Sequence, residues 1–101
     1  GTNENPNEAI RWFQKAAKEG NVEAIFLMGD SYFYGLGNVK NYKIAIEYYM
    51  KAVSHDYAPA IYAVGLCYEQ GKGVKRNIKK ATKFFRSAAE KGYVKAVNKL
   101  K

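Results

Sequence analysis

What the chain has little of narrows its class before any motif is read. A single cysteine, Cys67, has no partner for an internal disulfide, so the fold does not depend on an oxidising compartment. That favours a cytoplasmic location, with the ER lumen and secretion kept open because the sequence reads as a fragment that begins inside a repeat. His55 is the sole histidine, and a metal site needs three or four ligands where this sequence offers no cluster. Cys67 has no histidine within a helical turn, which makes it a small packed side chain rather than a nucleophile. No apolar run approaches the roughly 20 residues of a membrane span, and no signal-peptide pattern is present. These absences exclude a membrane-spanning chain and argue against an enzyme, a metalloprotein or any bound cofactor. Acidic residues also run out toward the C-terminus. Residues 1–71 hold six basic and eight acidic side chains, whereas 72–101 hold eleven basic and one acidic. One end is therefore strongly positive, and such a field attracts anionic partners.

What is abundant is repetition. The stretch Ala24 to Gly37, AIFLMGDSYFYGLG, returns 36 residues later as Ala60 to Gly73, AIYAVGLCYEQGKG. Ala24, Gly29, Tyr32, Gly35 and Gly37 map without a gap onto Ala60, Gly65, Tyr68, Gly71 and Gly73. The joining segments keep the same step through Asn5, Asn41 and Asn77, Ala9, Ala45 and Ala81, and Ala16, Ala52 and Ala88. Apolar residues within each segment recur at helical spacing. An all-α stack of helical hairpins with about six helices follows, because one such unit cannot bury its own apolar face.

Helix ends are legible too. Gly1 to Glu4 reads as an expression remnant and a frayed start. Asn5, Asn41 and Asn77 stand where an N-cap belongs, Pro6 and Pro59 fall in first turns, and Gly20 and Gly92 stand as left-handed C-caps. Asp56 occupies the position of those two glycines, a tolerated but mildly costly replacement. The predicted helices run from Asn5 to Gly20, Val22 to Tyr34, Tyr42 to Ser54, Ala58 to Gln70, Asn77 to Gly92 and Val94 to Lys101. The inward faces are expected to hold Ala9, Trp12, Phe13, Ala16 and Ala17 in the first helix. In the second they hold Ala24, Ile25, Met28, Gly29 and Tyr32, and equivalents follow in the later helices. Gly29 and Gly65 are expected to let neighbouring helices close up around Tyr32 and Tyr68.

The residues Ala24, Met28, Gly29, Tyr32, Gly35 and Gly37, followed by Ala45, Tyr48, Tyr49 and Ala52, carry a recognisable signature. It recurs as Ala60, Val64, Gly65, Tyr68, Gly71, Gly73 and Val74, then Lys80, Ala81, Phe84, Phe85, Ala88 and Gly92. The pattern resembles the Sel-1-like repeat, a relative of the tetratricopeptide repeat; the 36-residue period and the lack of a proline near the unit's end separate it from the latter. The resemblance covers nearly the whole chain, with a partial repeat at 5–20, repeats at 21–56 and 57–92, and the start of another at 93–101. It implies a right-handed superhelical α-solenoid of antiparallel helix pairs that serves as an adaptor in protein complexes. Members look like scaffolds for ER-associated degradation ligases, regulators of chitin synthase and bacterial proteins that engage host factors. Some bacterial relatives bridge the two helices of each repeat with a disulfide; this chain lacks the cysteine pairs.

Two surfaces stand out as candidates. On the helical wheel Phe26, Asp30, Phe33 and Tyr34 point away from the core, as do Tyr62, Leu66, Glu69 and Gln70 in the second copy. The even-numbered helices line the concave side of such a superhelix, so these residues are expected to form a peptide-binding groove. Each large side chain left in water forgoes roughly 1.5–3 kcal/mol of burial, so exposing several together calls for a reason. The bland alternative is that curvature or further repeats cover them. The second surface is Lys72, Lys75, Arg76, Lys79 and Lys80, which crowd a loop and a helix start where positive charge opposes the helix dipole. A bound anion would relieve that, but a solvated basic face is the favoured reading, and no nucleic-acid module is present. The expected function is a non-enzymatic scaffold that binds a protein or peptide partner along its aromatic face, with the basic end attracting acidic partners. The alternatives are a structural or self-associating segment of a longer array, or an anion-binding surface at the basic end.

Overall fold

The computed structural model describes the backbone from Pro6 to Lys101 and side chains from Glu8 onward. Six helices follow one another: α1 (Pro6–Lys18), α2 (Val22–Tyr34), α3 (Tyr42–Val53), α4 (Ala58–Gln70), α5 (Ile78–Glu90) and α6 (Val94–Lys99). There is no strand among the described residues. Each helix packs on the next in sequence, which makes an elongated stack of 43 × 25 × 24 Å. The Asn5 cap and the reading of residues 1–4 lie outside the described residues.

The repeat is visible in the hydrogen bonds. Asn41 and Asn77 cap α3 and α5 with the same extended backbone, each side-chain oxygen accepting from the amide three residues on, at 3.1 and 3.0 Å. Gly35 and Gly71 end α2 and α4 in the left-handed conformation, and the amides of Asn41 and Asn77 then close the loops by donating to the carbonyls of Tyr32 and Tyr68, both at 2.8 Å. Asp56 does adopt the left-handed conformation, φ 59°, that Gly20 and Gly92 adopt at the equivalent turns.

The interior is built from small residues facing rings. Ala45, Ala52, Ala60, Ala81, Ala88 and Ala96 are buried, with Met28, Tyr49, Val64, Cys67 and Phe85 between them. At Gly29 and Gly65 the expectation is corrected in one respect. A β-carbon at Gly29 would lie 2.5 Å from the Tyr49 ring, and one at Gly65 would lie 2.6 Å from Phe85. The glycines therefore admit the rings of the following helix, while Tyr32 and Tyr68 stack flat on Tyr48 and Phe84, with centroids 5.8 and 5.7 Å apart. A second correction concerns α1: Trp12 is 73% exposed rather than inward, and Ile10 takes the buried place. A third concerns the residues expected to point outward: Phe26, Phe33, Tyr62 and Leu66 are half-buried. α2 and α4 are each covered on two sides, by the helix before and the helix after, so their buried arc is wider than one amphipathic face.

Candidate functional site

Because α2 and α4 lie on the same side of the stack, their partly covered side chains meet across a cleft of about 500 Å³. Phe26, Asp30, Phe33 and Tyr34 come from α2, and Tyr62, Leu66 and Gln70 from α4. These are seven of the eight residues expected to form a groove. The eighth, Glu69, is turned away: its carboxylate pairs with Lys99 at 2.9 Å, and its carbonyl accepts from Arg76 Nε at 3.1 Å. The lining also includes five residues outside the sequence expectation, Tyr49, Pro59, Ala63, Tyr93 and Lys95, and Lys72, which the sequence pattern places at the basic end alone. For Tyr93 the signal was present, since it stands 36 residues beyond Tyr57.

The α2 end of the cleft is an aromatic recess around a carboxylate. The Phe26 centroid lies 5.5 Å from those of Tyr49 and Tyr57, and that of Phe33 lies 4.9 Å from Tyr34 and 6.2 Å from Tyr49. Such tilted and edge-to-face pairs suit the ring quadrupoles. Tyr49 donates its hydroxyl to Asp30 Oδ1 at 2.5 Å. Burial raises the Asp30 pKa above the ordinary carboxylate value, with the Tyr49 hydrogen bond acting the other way. Burial, and then the Asp30 hydrogen bond and charge, push the Tyr49 pKa far up; Tyr34 is raised by burial and by Asp30 as well. Tyr34 is the open member of the group, 60% exposed. The α4 end has different chemistry, because the positions equivalent to Asp30, Tyr34 and Tyr49 hold Leu66, Gln70 and Phe85.

The basic cluster does not stay together. Lys72 carries its ammonium over Phe33 and Tyr42, 5.4 and 5.5 Å from their centroids, and reaches the cleft with Lys95. Lys80 lies 5.4 Å from the Tyr68 centroid and lines a shallow depression with Lys75 and Arg76 on another part of the surface. Lys79 is exposed at the start of α5 and lines neither. Positive charge that sits on rings and on a carbonyl is already partly satisfied. His55 is exposed just past the end of α3. Cys67 is fully buried, and burial pushes its thiol up to about 11, far from thiolate reactivity. No three of the His, Cys, Asp and Glu side chains among the described residues converge as metal ligands.

A stack of helical hairpins with an aromatic-lined cleft defines a repeat scaffold of the α-solenoid class. The chain belongs to the Sel1 repeat family, whose model matches residues 1–21, 22–57 and 58–93. It is 36% identical to a Sel1 repeat protein from Oxalobacter formigenes, over 91% of this chain and 40% of that one, with a TM-score of 0.80. The fold also matches a protective antigen of uropathogenic Escherichia coli with an SLR fold, at 34% identity and TM-score 0.84, over 87% of this chain and 19% of that one. The cysteine-rich protein B of Helicobacter pylori aligns at 27% identity and TM-score 0.85, over 94% of this chain and 71% of that one. A Sel1-like repeat-containing protein of Schizosaccharomyces pombe is 44% identical over 34 residues, which are 34% of this chain and 5% of that protein. Sel1 repeat proteins are generally non-catalytic scaffolds that bind other proteins. No helix among the described residues is long and apolar enough to cross a membrane.

Proposed function

We propose that this chain is a non-catalytic interaction module that holds an extended peptide or a partner helix in the cleft between α2 and α4. One observation supports this above the others: seven side chains singled out by their place in the repeat line a single cleft, whose volume is in the range of ligand sites. Rings with two rotatable bonds, such as Tyr34 and Tyr62, offer large contact area at little entropic cost. Asp30, Gln70, Lys72 and Lys95 stand around them as polar groups that fix orientation. The exposed Trp12 of α1 favours a second, compatible reading, in which the chain is also a segment of a longer array.

Selection of a random-peptide phage library on the wild-type protein tests the first reading. Peptides that enrich are expected to bind the Tyr34→Ala/Tyr62→Ala variant at least about tenfold more weakly. They should bind a Lys83→Ala/Arg86→Ala control, changed outside the cleft, within about twofold of wild type. Circular dichroism shows that each variant is folded. Equal affinity for the wild type and the Tyr34/Tyr62 variant would move recognition elsewhere on the surface.

A further inference from the structure

The repeat itself separates what the fold needs from what it does not. At the second hairpin, Leu66 and Phe85 stand where the first has Asp30 and Tyr49; the Phe85 and Tyr49 rings lie against the packing glycines Gly65 and Gly29, and Leu66 and Asp30 both line the cleft. The frame therefore closes with an apolar pair. A half-buried carboxylate tied to a phenol is an addition to it, and one that costs desolvation. No cation among the described residues pairs with Asp30, and its second oxygen, Oδ2, receives no hydrogen bond from the described residues. Phe26, Phe33, Tyr34 and Tyr49 line the same end of the cleft as this carboxylate, their rings packed against one another. Rings and a carboxylate attract the same thing, a positive charge. The field of these rings already holds one cation, since Lys72 lies over Phe33.

From this juxtaposition we infer that the α2 end of the cleft recognises a basic side chain, an arginine or a lysine, of the bound peptide, seated on Asp30 among Phe26, Phe33 and Tyr34. This deepens the proposed cleft function and rests on it. A planar guanidinium is the better occupant, because it stacks on a ring while donating to a carboxylate. Lys72 and Lys95 line the same cleft. They repel further positive charge, so the segment that continues toward α4 and α6 is neutral or acidic. The strongly basic C-terminal third of the chain acts in the same direction.

The probes are the phage-selected peptides, each remade with its basic residue as citrulline, which keeps the shape of arginine without its charge. Citrulline is expected to weaken binding to the wild type about tenfold. Asp30→Asn, which keeps an acceptor for the Tyr49 hydroxyl, is expected to weaken the arginine peptide by a similar factor. The two changes together should weaken it no more than either alone, because they remove the same contact. The Asp30→Leu/Tyr49→Phe variant copies the pair that the second hairpin already carries, and is expected to behave as Asp30→Asn does. Selected peptides without a basic residue, or a citrulline penalty that persists undiminished in both variants, would overturn the inference. If binding is lost with Tyr34→Ala/Tyr62→Ala yet indifferent to Asp30, the cleft stands and the cation site falls. Binding indifferent to both removes the cleft reading itself.

Discussion

At the scale of single residues, the glycines facing rings are the least replaceable positions. Gly65→Ala would place a methyl group 2.6 Å from the Phe85 ring, with the backbone-proximal Phe84 Cβ 3.3 Å away on another side. The ring has to move out of a packed interior, and a loss of about 1–3 kcal/mol is expected, read as a lower melting temperature in a thermal scan. Asp56 offers the opposite case. Its left-handed φ of 59° is one that glycine adopts at the equivalent turns. Its ion pair with Lys91, at 3.5 Å, involves a largely exposed carboxylate and contributes little. Asp56→Gly removes the strain and adds freedom to the unfolded chain, so the net effect is a stabilisation of no more than about 1 kcal/mol, which urea titration at fixed pH measures. Asp30 and Tyr49 make stability depend on pH, with a sign that follows from protons bound. The folded state holds the Asp30 proton to a pH above the ordinary carboxylate value of 3.8. Between that value and the raised one the native state binds more protons than the unfolded state, and stability falls as pH rises. Tyr49 is likewise raised from 10.0, so stability falls again as pH climbs past that value, where unfolded tyrosine ionises and folded Tyr49 does not. The urea midpoint of the wild type should fall through both windows. Asp30→Leu/Tyr49→Phe should flatten the acid window and reduce the alkaline slope.

At the scale of elements, helix boundaries were the most legible feature of the sequence. Asn caps and Gly stops are local chemistry: Asn41 and Asn77 satisfy the same orphan amides, and Gly35 and Gly71 take the same left-handed turn, whatever packs around them. Asn77→Ala should therefore cost about 1 kcal/mol, seen as a shift in the urea midpoint without a change in slope. The inside and outside of each helix were less legible, and the misses share a cause. A helical wheel assumes one buried arc, whereas α2 and α4 are sandwiched, so Phe26 and Tyr62 pack on Tyr49 and Phe85 while still edging the cleft. Glu69 and Lys72 were misplaced for another reason. Glu69 is turned by Lys99 of α6 and Lys72 by the rings of Phe33 in α2 and Tyr42 in α3, and neither relation is encoded in local spacing. Tyr49 belongs to the core, as its place in the repeat indicates. Its hydroxyl alone belongs to the cleft, and one polar atom on a buried ring leaves no trace in a hydrophobic pattern.

At the scale of the whole molecule, the 36-residue step makes the packing of one hairpin a template for the others, and among the described residues one ring lacks the stacking partner its equivalents have. Trp12 is equivalent to Tyr48 and Phe84. Those two stack on Tyr32 and Tyr68 of the helix before them, with interplanar angles of 10° and 12°, while Trp12 is 73% exposed. A solenoid gains stability from each interface it adds, and an uncovered indole leaves a large area of apolar surface in water. Supplying the missing neighbour should therefore cover it. Replacing residues 1–5 with a copy of residues 22–41 keeps the register, because Asn41 then falls where Asn5 stands. The copied helix presents a glycine to Phe13 and a tyrosine to Trp12, as α2 presents Gly29 to Tyr49 and Tyr32 to Tyr48. Trp12 is the chain's one tryptophan, which makes its fluorescence a direct report on this contact. Emission should shift to shorter wavelength and the melting temperature should rise, since burying one large side chain stabilises by about 1.5–3 kcal/mol. Emission that stays at the wavelength of a solvated indole, in an extended chain whose helix content has grown, would mean that the first hairpin does not follow the rule the other two obey.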